Sequence, residues 1–224
     1  MRRIFVHGFT QTAASWKPVL DLLAPGDEAI ALDVPTALDF EATALALGGA
    51  GGQGTYVGYS MGGRLCLRLA LDRPELVDRL VLVSASPGLA DRRQRDRRRI
   101  DDARLAQAIP RDGVDAFLER WLNTPMFRTL RGEARGMEAR QRDPGVLTHQ
   151  LLVLGQGAME PLWDRLGELR MPVTLVVGAR DTRYAGHAQE MRATIADSCV
   201  EIVEGAGHAL HLERPDALVR VLTS

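Results

Sequence analysis

The sequence predicts an α/β fold, a mostly parallel sheet of about six strands with helices on both faces, and three observations carry that prediction. Short apolar runs recur just ahead of glycine, aspartate or serine, as strands buried on both faces do. Helical spacings fill most of the intervals between those runs. One run passes through Gly58-Tyr59-Ser60-Met61-Gly62 straight into a helix, which places a serine at a strand end between glycines.

The elements follow in order. Ile4 to Val6 reads as the first strand; Met1-Arg2-Arg3 ahead of it could open a signal peptide, but the apolar stretch is too short and ends at His7-Gly8. A helix over Trp16 to Leu23 leads to a strand over Ala29 to Leu32, and a helix over Phe40 to Leu47 follows. Gly49-Ala50-Gly51-Gly52-Gln53-Gly54 formally fits Gly-x-Gly-x-x-Gly, but a dinucleotide turn follows a strand and opens a helix, whereas this stretch precedes one. It reads as a flexible loop feeding the strand at Tyr56 and Val57. Leu65, Leu69 and Ala70 give the next segment, Met61 to Leu71, a helical spacing that Pro74 closes. Leu80 to Val83, Val173 to Val177 and Val200 to Val203 complete the strands, with a helix over Ala188 to Ile195 before the last.

The alternation lapses between Leu80 to Val83 and Val173 to Val177. A segment at about 88–169 looks helical and holds no convincing strand, so the chain is expected to be a single domain over 1–224 with a helical insertion folded over the sheet edge as a lid. With 224 residues and 46% hydrophobic content, one core suffices. Lys and Arg number 28 against 29 Asp and Glu, a net charge of -1 that gives no global case for nucleic acid or an anionic membrane. The arginine-rich stretch from Asp91 to Arg99 is interleaved with aspartates and lacks aromatic residues, so it reads as a solvated helix face. Cys66 and Cys199 have neither metal-ligand spacing nor a disulfide framework, and both read as buried thiols. No apolar run approaches the roughly 20 residues that span a bilayer, so a cytoplasmic protein without membrane insertion is expected. No phosphate-loop or HExxH motif occurs, and no cofactor or metal is expected; the sequence does not specify an oligomeric state.

A serine hydroxyl needs an imidazole to take its proton and a carboxylate to orient that imidazole. The strand Val173 to Val177 runs through Gly178-Ala179-Arg180 to Asp181, at the sheet edge that carries Ser60. The last strand leads through Glu204-Gly205-Ala206-Gly207 to His208, with His211 a competing base three residues on. Asp197 is the weaker carboxylate because it precedes a strand and belongs to the opposite edge. After the first strand, His7-Gly8-Phe9 offers the backbone N–H of Phe9, which with that of Met61 would form an oxyanion hole. His7 itself reads as a structural residue fixing that loop.

These features together resemble the α/β-hydrolase superfamily over nearly the whole chain, which implies the α/β-hydrolase fold and the chain order Ser, Asp, His. Within it, His7-Gly8-Phe9-Thr10, Gly58 through Arg64, Ser84 through Leu89, Phe117 through Trp121, Pro125-Met126-Phe127, Gly178 through Tyr184, and Gly205 through His208 with Glu213-Arg214-Pro215 are most similar to one menaquinone-biosynthesis family, 2-succinyl-6-hydroxy-2,4-cyclohexadiene-1-carboxylate synthase. The resemblance implies elimination of pyruvate from a carboxylated cyclohexene, with Ser60 as a base supported by His208 and Asp181. It also implies substrate contacts from Arg64, just after the turn, from Arg98 and Arg140 in the lid, and from Trp121 and Tyr59. Where the family usually has Asp-x-Pro-Gly-His-Gly, this chain has the shortened Asp33-Val34-Pro35-Thr36-Ala37-Leu38, so a relative with a different substrate is also compatible. The alternatives are a carboxylesterase or C–C bond hydrolase with Ser60 as nucleophile and, in a different class, a noncatalytic binding protein.

Overall fold

Six strands form one sheet, and every neighbouring pair runs parallel. In the computed structural model, which describes residues 2–24 and 26–223, they are β1 (Arg3–Val6), β2 (Ala29–Leu32), β3 (Gly54–Tyr59), β4 (Val77–Val83), β5 (Val173–Gly178) and β6 (Ser198–Val203), in the spatial order β2-β1-β3-β4-β5-β6. The winding reverses at β1: β2 lies on one side of it and β3 on the other, and β4 to β6 continue outward. In open parallel sheets the crevice at the carboxyl ends beside such a reversal is where ligands bind.

The helices are α1 (Lys17–Leu20), α2 (Phe40–Gly51), α3 (Met61–Asp72), α4 (Arg92–Asp112), α5 (Val114–Leu122), α6 (Pro144–Leu152), α7 (Thr182–Thr194), α8 (Leu210–Glu213) and α9 (Pro215–Thr223). Alternate strand residues serve opposite faces. Ile4, Val6, Tyr56, Leu80 and Leu82 pack with α2, α3 and α7, whereas Phe5, Val57, Val81 and Val83 pack with Trp16, α8 and α9. β1, β3 and β5 are buried throughout, as their unbroken apolar runs require.

The outer strands are different. All of β2 is half-buried, and β6 exposes Cys199, Glu201 and Ile202 because nothing pairs with its outer edge among the described residues. The expectation of two buried thiols therefore holds for Cys66 and fails for Cys199, which is exposed on that edge strand. The glycine-rich stretch is also not the flexible loop its composition suggests. α2, capped by the Asp39 carboxylate on the Ala42 amide at 2.8 Å, continues through Gly49, Ala50 and Gly51, and β3 already begins at Gly54. The small residues serve packing: a β-carbon on Gly51 would stand 2.5 Å from the Tyr56 hydroxyl, which donates to the Gly52 carbonyl at 2.7 Å.

Between β4 and β5 the described chain forms no sheet strand, and its one β-bridge joins Gln11 to Arg140. Asp91 caps α4 by accepting from the Gln94 amide at 2.8 Å, and Asp143 caps α6. Arg92, Arg93, Arg97 and Arg99 face solvent, while Arg95 and Arg98 are half-buried on the inner face of α4. Ala106, Ile109, Phe117, Leu118, Leu147 and Leu151 give α4, α5 and α6 a small core of their own. No described helix is long and apolar enough to cross a membrane.

Candidate active site

Four strand ends meet at the carboxyl edge of the sheet. Ser60 follows β3 directly and holds φ 51° and ψ -105°, a conformation that costs a non-glycine residue roughly 1–3 kcal/mol. Its amide donates to the Val83 carbonyl at 2.9 Å, and its own carbonyl accepts from the Arg64 amide at 3.1 Å, so the strained residue is pinned to β4 and α3. The turn is this tight because its glycines let backbones touch. A β-carbon on Gly58 would lie 2.6 Å from the Gly62 carbonyl, and one on Gly62 would collide with the carbonyls of Val6 and His7.

His208, 2% exposed, stands between Ser60 and Asp181: its Nε2 is 3.2 Å from Ser60 Oγ and its Nδ1 is 2.7 Å from Asp181 Oδ2. The ionised carboxylate only accepts, so Nδ1 carries the proton, and Nε2 is left as acceptor for the serine O–H. Such a chain can draw the proton from the serine and stabilise the imidazolium that results. The Gly207 amide donates to Glu213 at 2.9 Å and fixes the turn, while the rings of Tyr59, Phe127 and Tyr184 surround His208 at 5.4, 5.9 and 4.5 Å.

The competing assignments lie elsewhere. Asp197 is at the opposite end of the sheet, where its carbonyl accepts from the Val173 amide. His211 is fully buried and accepts through Nε2 from Gln11 Nε2 at 3.1 Å; Gln11 Oε1 in turn accepts from the Gly8 amide at 3.3 Å. His211 thus buttresses the loop after β1. His7 does the same, donating from Nδ1 to the Gly8 carbonyl at 2.9 Å and accepting from the Val34 amide at 3.0 Å. Burial holds both imidazoles below the usual histidine pKa, His211 far below it. On this supported loop, and at the first residue of α3, the Phe9 and Met61 amides have no hydrogen-bond partner among the described residues.

Ser60, Phe9, Met61, Arg64, Arg98 and Trp121 line one pocket of about 450 Å³ including its mouth. Arg64 is 6% exposed, donates to the Leu154 carbonyl at 2.8 Å and to Met159 Sδ at 3.2 Å, and has no carboxylate within ion-pair distance among the described residues. Burial pushes its guanidinium down to about 10, still protonated at neutral pH. Arg98 is tied through Nε to the buried Asp102 carboxylate at 2.8 Å. Two expected contacts are not brought to this pocket wall. Arg140 spends its donors on Thr10 Oγ1 at 2.9 Å and the Arg135 carbonyl at 2.8 and 3.1 Å, and Tyr59 lies buried beneath Gly8 and His208.

The pocket also holds residues that the sequence reading did not single out, namely Gln150, Leu151, Gly155 and Gln156. Gln156 donates to Ser86 Oγ at 3.1 Å and accepts from Arg98 at 3.5 Å. A glutamine inside a helical insertion carries no sequence pattern; Met126 and Tyr184, also in the wall, lie within the segments that carried the resemblance. Among the described residues no three His, Cys, Asp or Glu side chains gather as a metal would require.

Comparison with known proteins adds an independent line. The alpha/beta hydrolase family matches residues 4–221. The putative 2-succinyl-6-hydroxy-2,4-cyclohexadiene-1-carboxylate synthase of Bacillus subtilis (strain 168) is 36% identical over 173 residues, which cover 75% of this chain and 63% of that protein. The synthase of the same name from Salmonella heidelberg (strain SL476) is 27% identical over 241 residues, covering 98% of this chain and 92% of that protein. Among solved structures, MenH from S. aureus superposes with a TM-score of 0.92 at 24% identity, over all of this chain and 92% of that one.

Proposed function

From the premise that the chain belongs to the alpha/beta hydrolase family, we propose that it eliminates pyruvate from a carboxylated cyclohexene, as 2-succinyl-6-hydroxy-2,4-cyclohexadiene-1-carboxylate synthase, the name its relatives carry. The observation that carries this reading is Arg64, a buried cation in the wall of the Ser60 pocket with no carboxylate in ion-pair contact among the described residues, Asp102 acting on it only from farther off. An unpaired interior charge is costly, and a substrate carboxylate supplies the missing partner. Arg98, held by Asp102, is the second carboxylate site, and Trp121 closes the pocket. Tyr59 and Arg140 act from behind, through His208 and through Thr10.

In this mechanism Ser60 passes its proton to His208 Nε2 and takes one from the carbon beside a carbonyl. The released electron pair builds charge on that carbonyl oxygen, which the Phe9 and Met61 amides stabilise, and then expels pyruvate as its C–O bond breaks. Protonated His208 returns the proton to the leaving group, Asp181 having steadied it meanwhile, and no acyl-enzyme forms. Helices α4 to α6 serve as a lid over the site, within a single domain. We place the protein in the cytoplasm, a reading with which the free thiols of Cys66 and Cys199 accord.

The test is pyruvate release from the succinyl-cyclohexene precursor. Purified protein should release it, and Ser60→Ala should lower the rate by at least about 10³-fold. No pyruvate alongside brisk hydrolysis of short-chain p-nitrophenyl esters would instead make Ser60 the nucleophile of a carboxylesterase. Full activity in Ser60→Ala would remove the site assignment altogether.

A further inference from the structure

One short segment of the insertion touches both pocket arginines. Arg64 donates to the Leu154 carbonyl at 2.8 Å, and two residues further on Gln156 Oε1 accepts from Arg98 Nη1 at 3.5 Å. A guanidinium has only donors, so the carboxamide turns its oxygen toward Arg98, and its NH2 group faces Ser86 Oγ at 3.1 Å and the Tyr184 hydroxyl at 3.4 Å. Gln156 is 6% exposed and lines the Ser60 pocket. Its backbone is fixed as well as its side chain. A β-carbon on Gly157 would stand 2.6 Å from the Arg99 amide nitrogen and 2.9 Å from the Arg95 carbonyl oxygen, and one on Gly155 would stand 2.7 Å from Asp102 Oδ2. The two glycines let the chain lie directly against α4, while Gln156 reaches back to Ser86, just past β4.

The reason for such a clamp lies in the charges. Arg64 and Arg98 line one pocket, and no carboxylate is among the described residues that line it with them. Burial above all, and then the charge of Arg98, lowers the pKa of Arg64, so the two cations stand near enough to repel. A long side chain such as that of Arg98 relieves repulsion by swinging its head toward water. Asp102 holds it at Nε, 2.8 Å away, and Gln156 at Nη1, and two points fix the plane of the guanidinium. We propose that Gln156 is a positioning residue, which holds Arg98 beside Arg64 so that both guanidinium groups are already aimed when a ligand with two carboxylates arrives. The inference rests on the reading that these arginines bind substrate carboxylates; it adds that a neutral side chain, and not the substrate, sets their arrangement, which spares the ligand the cost of ordering them.

Calorimetric binding of glutarate and pentanoate tests it, since the two share a five-carbon skeleton and differ by one carboxylate. The wild-type protein should bind glutarate at least about tenfold more tightly than pentanoate. Gln156→Leu should bring that preference to within about threefold, because Arg98 is then free to turn away. Gln156→Glu, which keeps the shape and the accepting oxygen, should go lower still, because its own charge occupies Arg98 in the ligand's stead. In an Arg98→Ala background Gln156→Leu should weaken glutarate by no more than about twofold further, as befits a residue that acts through the arginine. A role in packing alone would weaken both acids equally and leave the preference where it was. The proposal is overturned by a wild-type protein that does not prefer glutarate, by a preference that survives in both Gln156 variants, by equal losses for the two acids, or by fully additive losses in the double variant. Pyruvate release by the wild-type protein is scored apart from all of these, so the clamp and the synthase reading fail separately.

Discussion

Arg64 is where the chemistry of single residues is most exposed to test. Its charge sits in the interior against the Leu154 carbonyl and the face of Phe40, 5.9 Å from the ring centroid, and neither contact neutralises it. If a substrate carboxylate completes the pair, Arg64→Ala should cost about 2–5 kcal/mol in kcat/KM for a polycarboxylate substrate, and clearly less for a neutral p-nitrophenyl ester. Steady-state kinetics with both substrates decides the matter, and equal losses would make Arg64 a structural cation. The residue was legible in the sequence because its offset from Ser60 is fixed within α3, where one turn separates the two. Ser60, Asp181 and His208 were legible for a related reason: each comes at or within a short turn after the end of an apolar run, and parallel strands bring such positions to one edge. Gln150 had no such handle, since only the packing of α6 against α4 and α5 brings it into the wall of the serine pocket.

At the level of elements, the junction of β3 and α3 carries the greatest local constraint. Gly62 packs under the end of β1, with the Val6 and His7 carbonyls where a side chain would go. Gly62→Ala must therefore push α3 away from β1, or the loop after β1 away from the serine. Overpacking of this kind costs about 1–3 kcal/mol, to be read as a lower urea midpoint at unchanged slope. Activity should fall further than stability alone explains, because the same shift separates the Phe9 amide from Ser60; a variant with wild-type midpoint and rate would show that the junction has slack. Sequence periodicity located all six strands because burial on both faces leaves continuous apolar runs. It misjudged Gly49 to Gly51, where composition suggests a loop but close packing on Tyr56 keeps the helix intact. It also started α7 six residues late, since Thr182 to His187 offers little apolar spacing ahead of Ala188. The register of helices between β4 and β5 was the least legible, for they pack on one another and not on a strand ladder.

The whole molecule pays for holding these strand ends together with two imidazoles kept neutral in its interior. His7 and His211 are 2% and 0% exposed, and burial lowers the pKa of each from 6.5; Arg140, His208 and His7 around His211 depress it further. Asp33 Oδ1, 3.7 Å from His7 Nε2, opposes the shift there without cancelling it. The sign follows from linkage. Above about pH 6.5 both states leave these rings neutral, and they add no pH dependence; below it the unfolded chain binds protons that the folded chain refuses, so stability is lost as pH falls. Each ring can contribute up to about 1.4 kcal/mol per pH unit until its folded-state pKa is reached. Urea unfolding should accordingly show less stability at pH 5.5 than at pH 7.5. His211→Gln, which cannot titrate, should flatten that dependence, since the more strongly depressed of the two imidazoles is gone. A wild-type stability that is flat across this range, or a His211→Gln profile that parallels the wild type, would mean that the loop carrying Phe9 opens to admit the proton.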